Sequence, residues 1–169
     1  MRVVDVRRRD NVAEKPTAYI VMLAETEGTR RLPIWVGEPE GTAIALHLEG
    51  VEPVRPMTVA FAAAMLTVSG SRLQEVRIDR LAETVFYATA VIDGPNGLQQ
   101  VDARPSDALN LALIAGAPIR VAPAVLDAVA AFPTARGETD LTDADGPAEI
   151  VAGFQAMWAQ TAAAAREEA

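Results

Sequence analysis

Val101-Asp102-Ala103-Arg104-Pro105-Ser106-Asp107-Ala108 is the stretch on which the reading of this chain turns. Strand-like residues precede it (Leu98, Val101), and a helical pattern follows it (Leu109, Leu111, Leu113, Ile114). A strand end running into a helix start gathers free backbone N–H groups and the positive end of a helix dipole. Pro105 suits the first helical position, which places Asp107 third in the helix. Two carboxylates, a guanidinium and a hydroxyl thus crowd one turn, where they can hold an anion, hold a metal, or only cap the helix.

Working outward, the chain alternates strands with helices. Met1–Arg9, Thr17–Ala24 and Arg30–Val36 read as strands, with a hairpin turn at Glu25–Gly28. Pro33 predicts that the third strand lies on a sheet edge or is locally irregular. Glu38–Glu49 reads as a helix stopped by Gly50, and a second helix is N-capped by Thr58 and ended by Gly70. Val76 and Ile78 mark a strand. Thr84–Ile92 and Leu98–Ala103 form a hairpin around Asp93–Gly97. The helix after Pro105, a short strand at Pro118–Val121 and a helix near Pro123 follow. The predicted class is α+β: a mixed, largely antiparallel sheet with helices packed on it, as a single domain plus a C-terminal helix. The domain spans 1–131, a Pro/Thr/Gly/Asp-rich linker spans 132–147, and an amphipathic helix spans 148–169. Gly41–Leu48 also echoes Ser106–Leu113, as a weak internal repeat would.

Composition narrows the functions. Half of the 169 residues are hydrophobic but only 5% are aromatic, so the core is built from Val, Leu, Ile and Ala. The absence of cysteine excludes thiolate chemistry and zinc–cysteine sites. No apolar run is long enough to span a membrane, and the start is charged too early for a secretory signal, so the expected location is the cytoplasm. A net charge of −8 opposes nucleic-acid binding by the whole surface. The acid excess is uneven: residues 1–132 hold 16 acids and 13 bases, against 7 and 2 beyond. A local basic face therefore stays open to the body of the protein.

Three segments, in order, resemble the bifunctional nuclease (DNase-RNase) family: Leu32-Pro33-Ile34-Trp35-Val36-Gly37-Glu38-Pro39-Glu40-Gly41-Thr42, then Arg55-Pro56-Met57-Thr58, then Phe86-Tyr87 followed by Val101–Leu109. The resemblance covers about Val3 to Leu126. It implies an α+β fold, usually oligomeric, and a nuclease acting on DNA and RNA. The chain departs from the pattern once: where many relatives carry a histidine after Thr58, it has Val59.

Phosphodiester hydrolysis needs an activated water and positive charge near phosphorus. Asp102, Asp107 and Glu38 are the candidate metal ligands, for Mg²⁺ or Mn²⁺ given their oxygen donors. Asp102, Arg104, Asp107 and Glu40 are the candidate catalytic group. Arg104, Arg55 and Ser106 are the candidate substrate contacts, with Arg104's planar fork on phosphate. The expected partners are nucleic acid and a second copy of the chain, as a homodimer or higher homo-oligomer, with no membrane. The same residues also fit a non-catalytic oligomeric module binding a protein partner or small anion, with Asp107 serving the helix dipole and Arg104 ion-paired to Asp102. The lone histidine, His47, falls about 100° from both Leu46 and Leu48 on the helical wheel, so the pattern assigns it no face. Arg7-Arg8-Arg9 reads as a solvated strand face. Trp35 and Phe86-Tyr87 have the chemistry to stack on bases, but their alternation predicts core.

Overall fold

Alternation and β-branching give the N-terminal strands β1 (Arg2–Arg9), β2 (Ala18–Ala24) and β3 (Arg31–Val36), which form an antiparallel sheet in that order in the computed structural model. The structure describes residues 1–9, 17–131 and 144–167. β2 is central, and Tyr19, Ile20, Val21 and Leu23 are all buried, so both of its faces are covered. β3 lies at the edge, where Pro33 is accommodated.

Helices α1 (Glu38–Leu48) and α2 (Thr58–Val68) follow. Then come β4 (Arg72–Ala82), β5 (Val85–Gly94), β6 (Gly97–Ala103), α3 (Pro105–Ala115), β7 (Ile119–Val121) and α4 (Pro123–Ala131). The second sheet has the order β6-β5-β4-β7, antiparallel except for the β4–β7 pair. The fold is α+β, as expected, but the strands divide into two sheets. α1 and α2 intervene between β3 and β4, and the strands on either side pair only within their own group.

One core unites the parts. Val6, Val21, Leu23 and Ile34 from the first sheet meet Ile44 and Leu46 of α1, Val76 and Ile78 of β4, and Leu109 and Ala112 of α3. The last helix, α5 (Pro147–Glu167), adds Ile150 and Val151 to this core and packs on α1 and β1. It is thus docked, held also by the Arg8–Asp145 ion pair and by backbone bonds between those two residues. Positions 132–143, most of the expected linker, and 168–169 lie outside the described residues.

Two local expectations are corrected. Met57, not Thr58, is the N-cap of α2, and it caps with no side-chain bond. Thr58 is the first helical residue instead. Trp35 and Tyr87 are not core: Trp35 is 57% and Tyr87 36% exposed, while Phe86 is half-buried against the core. Alternation gives two strand faces, but it does not say which face another layer will cover.

Candidate functional site

Two strand-to-helix turns meet in space. At the first, β3 passes through Gly37 into α1, whose first turn carries Glu38, Pro39 and Glu40. At the second, β6 passes through Arg104 into α3, with Pro105 first and Asp107 third in the helix. Proline near each helix start presets φ without wasting an N–H group. Each helix carries an acid at its third position, where the dipole favours negative charge. Only the second turn supplies a cation.

That cation joins the two turns. Arg104 grips Asp107 with two parallel bonds, Nε to Oδ2 at 2.7 Å and Nη2 to Oδ1 at 2.9 Å. Its Nη2 also reaches Glu40 Oε1 at 2.7 Å, across 64 residues of sequence. These bonds, Asp107's foremost and Glu40's next, push the guanidinium further above its already high range. Arg104 therefore stays charged at any pH that leaves the protein folded. With its side chain 67% exposed, water screens both ion pairs, and each adds at most about 1 kcal/mol to stability. Their main effect is to fix where the guanidinium sits.

Beneath the ion pairs lies a buried tie that the sequence reading did not single out. Asn110 donates from Nδ2 to the Glu40 carbonyl at 3.1 Å and to the Ser106 carbonyl at 3.0 Å. One amide thus holds the start of α1 to the start of α3. An Asn four residues after Ser106 inside an apolar helix was the available signal, because Asn is disfavoured there without a specific bond. Gly41 is the other residue missed. A Cβ at this position would lie 2.4 Å from the ring of buried Tyr19, so only glycine lets α1 sit this close to β2.

Beside the joined turns opens a cleft of about 570 Å³, lined among others by Trp35, Phe86, Tyr87, Asp102, Arg104 and Ser106. Its wall is aromatic and exposed. The Arg80 guanidinium lies 3.7 Å from the Tyr87 ring centroid, a cation–π contact. Asp102 is exposed on β6, and its carboxylate has no hydrogen bond or ion pair among the described residues. The expected alternative pairing of Arg104 with Asp102 is therefore not the one formed.

The other candidates sit elsewhere. Ser106 is buried, with its backbone in the tie and its residue at the cleft wall. Glu38 is exposed at the start of α1 and does not line the cleft. Arg55 lines a separate groove beside Phe154 and Gln155 of α5. His47 is exposed and shares a further cleft with Val59 and Asn110. Arg7 and Arg8 are ion-paired to Asp5 and Asp145.

These groups do not fit a resident divalent metal. Among the described residues no three His, Cys, Asp or Glu side chains converge as ligands. Both Asp107 oxygens and one Glu40 oxygen are turned to Arg104, whose guanidinium fills the place between them that a cation would take.

The model of the bifunctional nuclease domain matches residues 21–133, which includes both turns and the cleft wall. Two uncharacterized proteins of Mycobacterium tuberculosis are similar to the chain: Rv1829 of strain H37Rv and MT1877 of strain CDC 1551. Each is 42% identical over 126 residues, which cover 75% of this chain and 73% of the relative. On the match to the domain and the identity to these relatives, the chain belongs to the bifunctional nuclease domain family.

Proposed function

We propose that the chain cleaves phosphodiester bonds of single-stranded DNA or RNA in the cleft between the two turns. The observation that carries this reading is the presence, on one open wall, of exposed Trp35 and Tyr87, a fixed Arg104 and an unpartnered Asp102. Exposed aromatics offer flat faces to unpaired bases, each stack being worth about 1–3 kcal/mol, whereas a paired base hides its faces in the duplex. Arg104 still has Nη1 free of bonds among the described residues and presents it to a phosphate oxygen. Asp102 takes the proton of the water that attacks phosphorus, and the leaving oxygen takes a proton from solvent. A positioned base of this kind contributes about 10²–10⁴ in rate. The Mg²⁺ or Mn²⁺ expected from the oxygen donors has no ready-made cradle here, so the chemistry proposed rests on Asp102 and Arg104. We place the protein in the cytoplasm as a homo-oligomer; no described helix is long and apolar enough to cross a membrane.

One observation favours the rival, a non-catalytic module. Glu40 and Asp107 together outweigh the single charge of Arg104, so a bound anion must compete with carboxylates for the guanidinium. Cleavage of end-labelled single-stranded DNA and RNA separates the two readings, with EDTA, Mg²⁺ or Mn²⁺ in parallel. Wild type is expected to cleave, and Asp102→Asn to lose at least about 100-fold with an unchanged circular dichroism spectrum. Equal cleavage by both proteins, or none by wild type under any condition, would favour the module.

A further inference from the structure

A second cleft, of about 540 Å³, opens between α1, α2, α3 and the loop 51–57, and it shares no lining residue with the first. At its floor is Asn110, only 2% exposed. Both Nδ2 protons of Asn110 are spent on the Glu40 and Ser106 carbonyls. Its Oδ1 accepts no bond among the described residues, yet it is not sealed off from the cleft. A buried acceptor without a donor is costly, so this oxygen calls for a partner. Glu52, exposed at the rim, is also free of ion pairs and hydrogen bonds among the described residues. Two acceptors thus face the N–H groups of whatever enters.

The start of α2 offers the reverse. The N–H groups of Thr58, Val59 and Ala60 make no hydrogen bond among the described residues, Met57 caps with no side-chain bond, and the first turn holds no acid. Met57, Val59 and Ala60 all line the cleft. A helix start left open in this way favours a carboxylate. Val54 and Ile114, 83% and 42% exposed, add apolar wall.

We infer that this second cleft binds a free amino acid with an apolar side chain. Its ammonium donates to Asn110 Oδ1 and Glu52, its carboxylate accepts from the start of α2, and its side chain covers Val54 and Ile114. The lining selects this class. A simple anion would meet the Glu52 carboxylate and the Asn110 oxygen. A simple amine would leave the α2 donors unmet and face the positive end of the helix. His47 is the other ionisable group on the wall, and no Lys or Arg among the described residues lines it, so a nucleic-acid backbone finds no counter-charge there. The inference is independent of nuclease activity and of oligomeric state.

Calorimetric titration of the full chain with L-leucine, L-methionine and L-phenylalanine tests it, the tightest of the three being compared with its deaminated and decarboxylated analogues. At least one amino acid is expected to bind with a Kd below about 1 mM. Each analogue is expected to bind at least about 10-fold more weakly, for want of one charge-assisted contact. Glu52→Gln, at an exposed residue with no partner to lose, is expected to weaken the amino acid by about 10-fold. Thr58→Asp puts an acid in the first turn of α2, which favours the helix while competing for its N–H groups, and is expected to weaken binding at least about 3-fold with unchanged circular dichroism. No binding by any of the three would leave water as the partner of Asn110 and overturn the inference. An analogue that binds as tightly as the amino acid overturns it too, as does unchanged affinity in either variant.

Discussion

Helices α2 and α3 have the same length and opposite fates. α2 is the more apolar, yet buries none of its residues. α3 buries five, and two of them, Ser106 and Asn110, are polar. What separates them is attachment. α3 is fixed by Arg104 at its first turn, by Asn110 in its body and by Gly116, whose φ of 62° closes its end in the left-handed region. α2 has no side-chain cap and packs mainly along α3. Burial of polar groups therefore marks where the fold is committed, and exposure of apolar ones marks where it is unfinished.

Substitutions can break this contrast, beginning with the largest effect on stability. Leu109→Ala empties a fully buried position in α3 and is expected to cost about 3 kcal/mol, read from the urea midpoint. Asn110→Ala removes the side-chain bonds that tie the Glu40 and Ser106 carbonyls together and is expected to cost about 1–2 kcal/mol. If it cost nothing, the two turns would not depend on this amide. Arg104→Ala is expected to lower stability by less than about 1 kcal/mol, because the guanidinium shared by both ion pairs is largely exposed. At the small end, Phe61→Ala in α2 should change the unfolding free energy of a dilute, dissociated chain by no more than about 0.5 kcal/mol. A loss as large as that at Leu109 would mean that α2 is part of the single-chain core after all.

Much of this was legible in the residues. Pro105 marks a helix start wherever a strand precedes it, so Asp107's place in the first turn of α3 followed directly. Pro33 pointed to an edge strand or an irregular one, and β3 lies at an edge. The link from Arg104 to Glu40 was not legible, because it spans 64 residues and depends on how two sheets and two helices pack. The echo between Gly41–Leu48 and Ser106–Leu113 hinted at matching turns, but only packing shows that they meet. Trp35 and Tyr87 were misread for a related reason. An alternating strand has a correct answer about its faces only once the neighbouring layers are known. Within the cleft, no layer covers them.

Binding of a fluorescein-labelled single-stranded oligonucleotide, followed by anisotropy, tests the central claim most directly. Trp35→Ala should weaken binding by about 5- to 100-fold, as loss of a stacking face does. Arg104→Ala should weaken it too and flatten its dependence on salt. Wild-type affinity in both variants would contradict the account, because it would place nucleic acid away from the cleft that the two turns build.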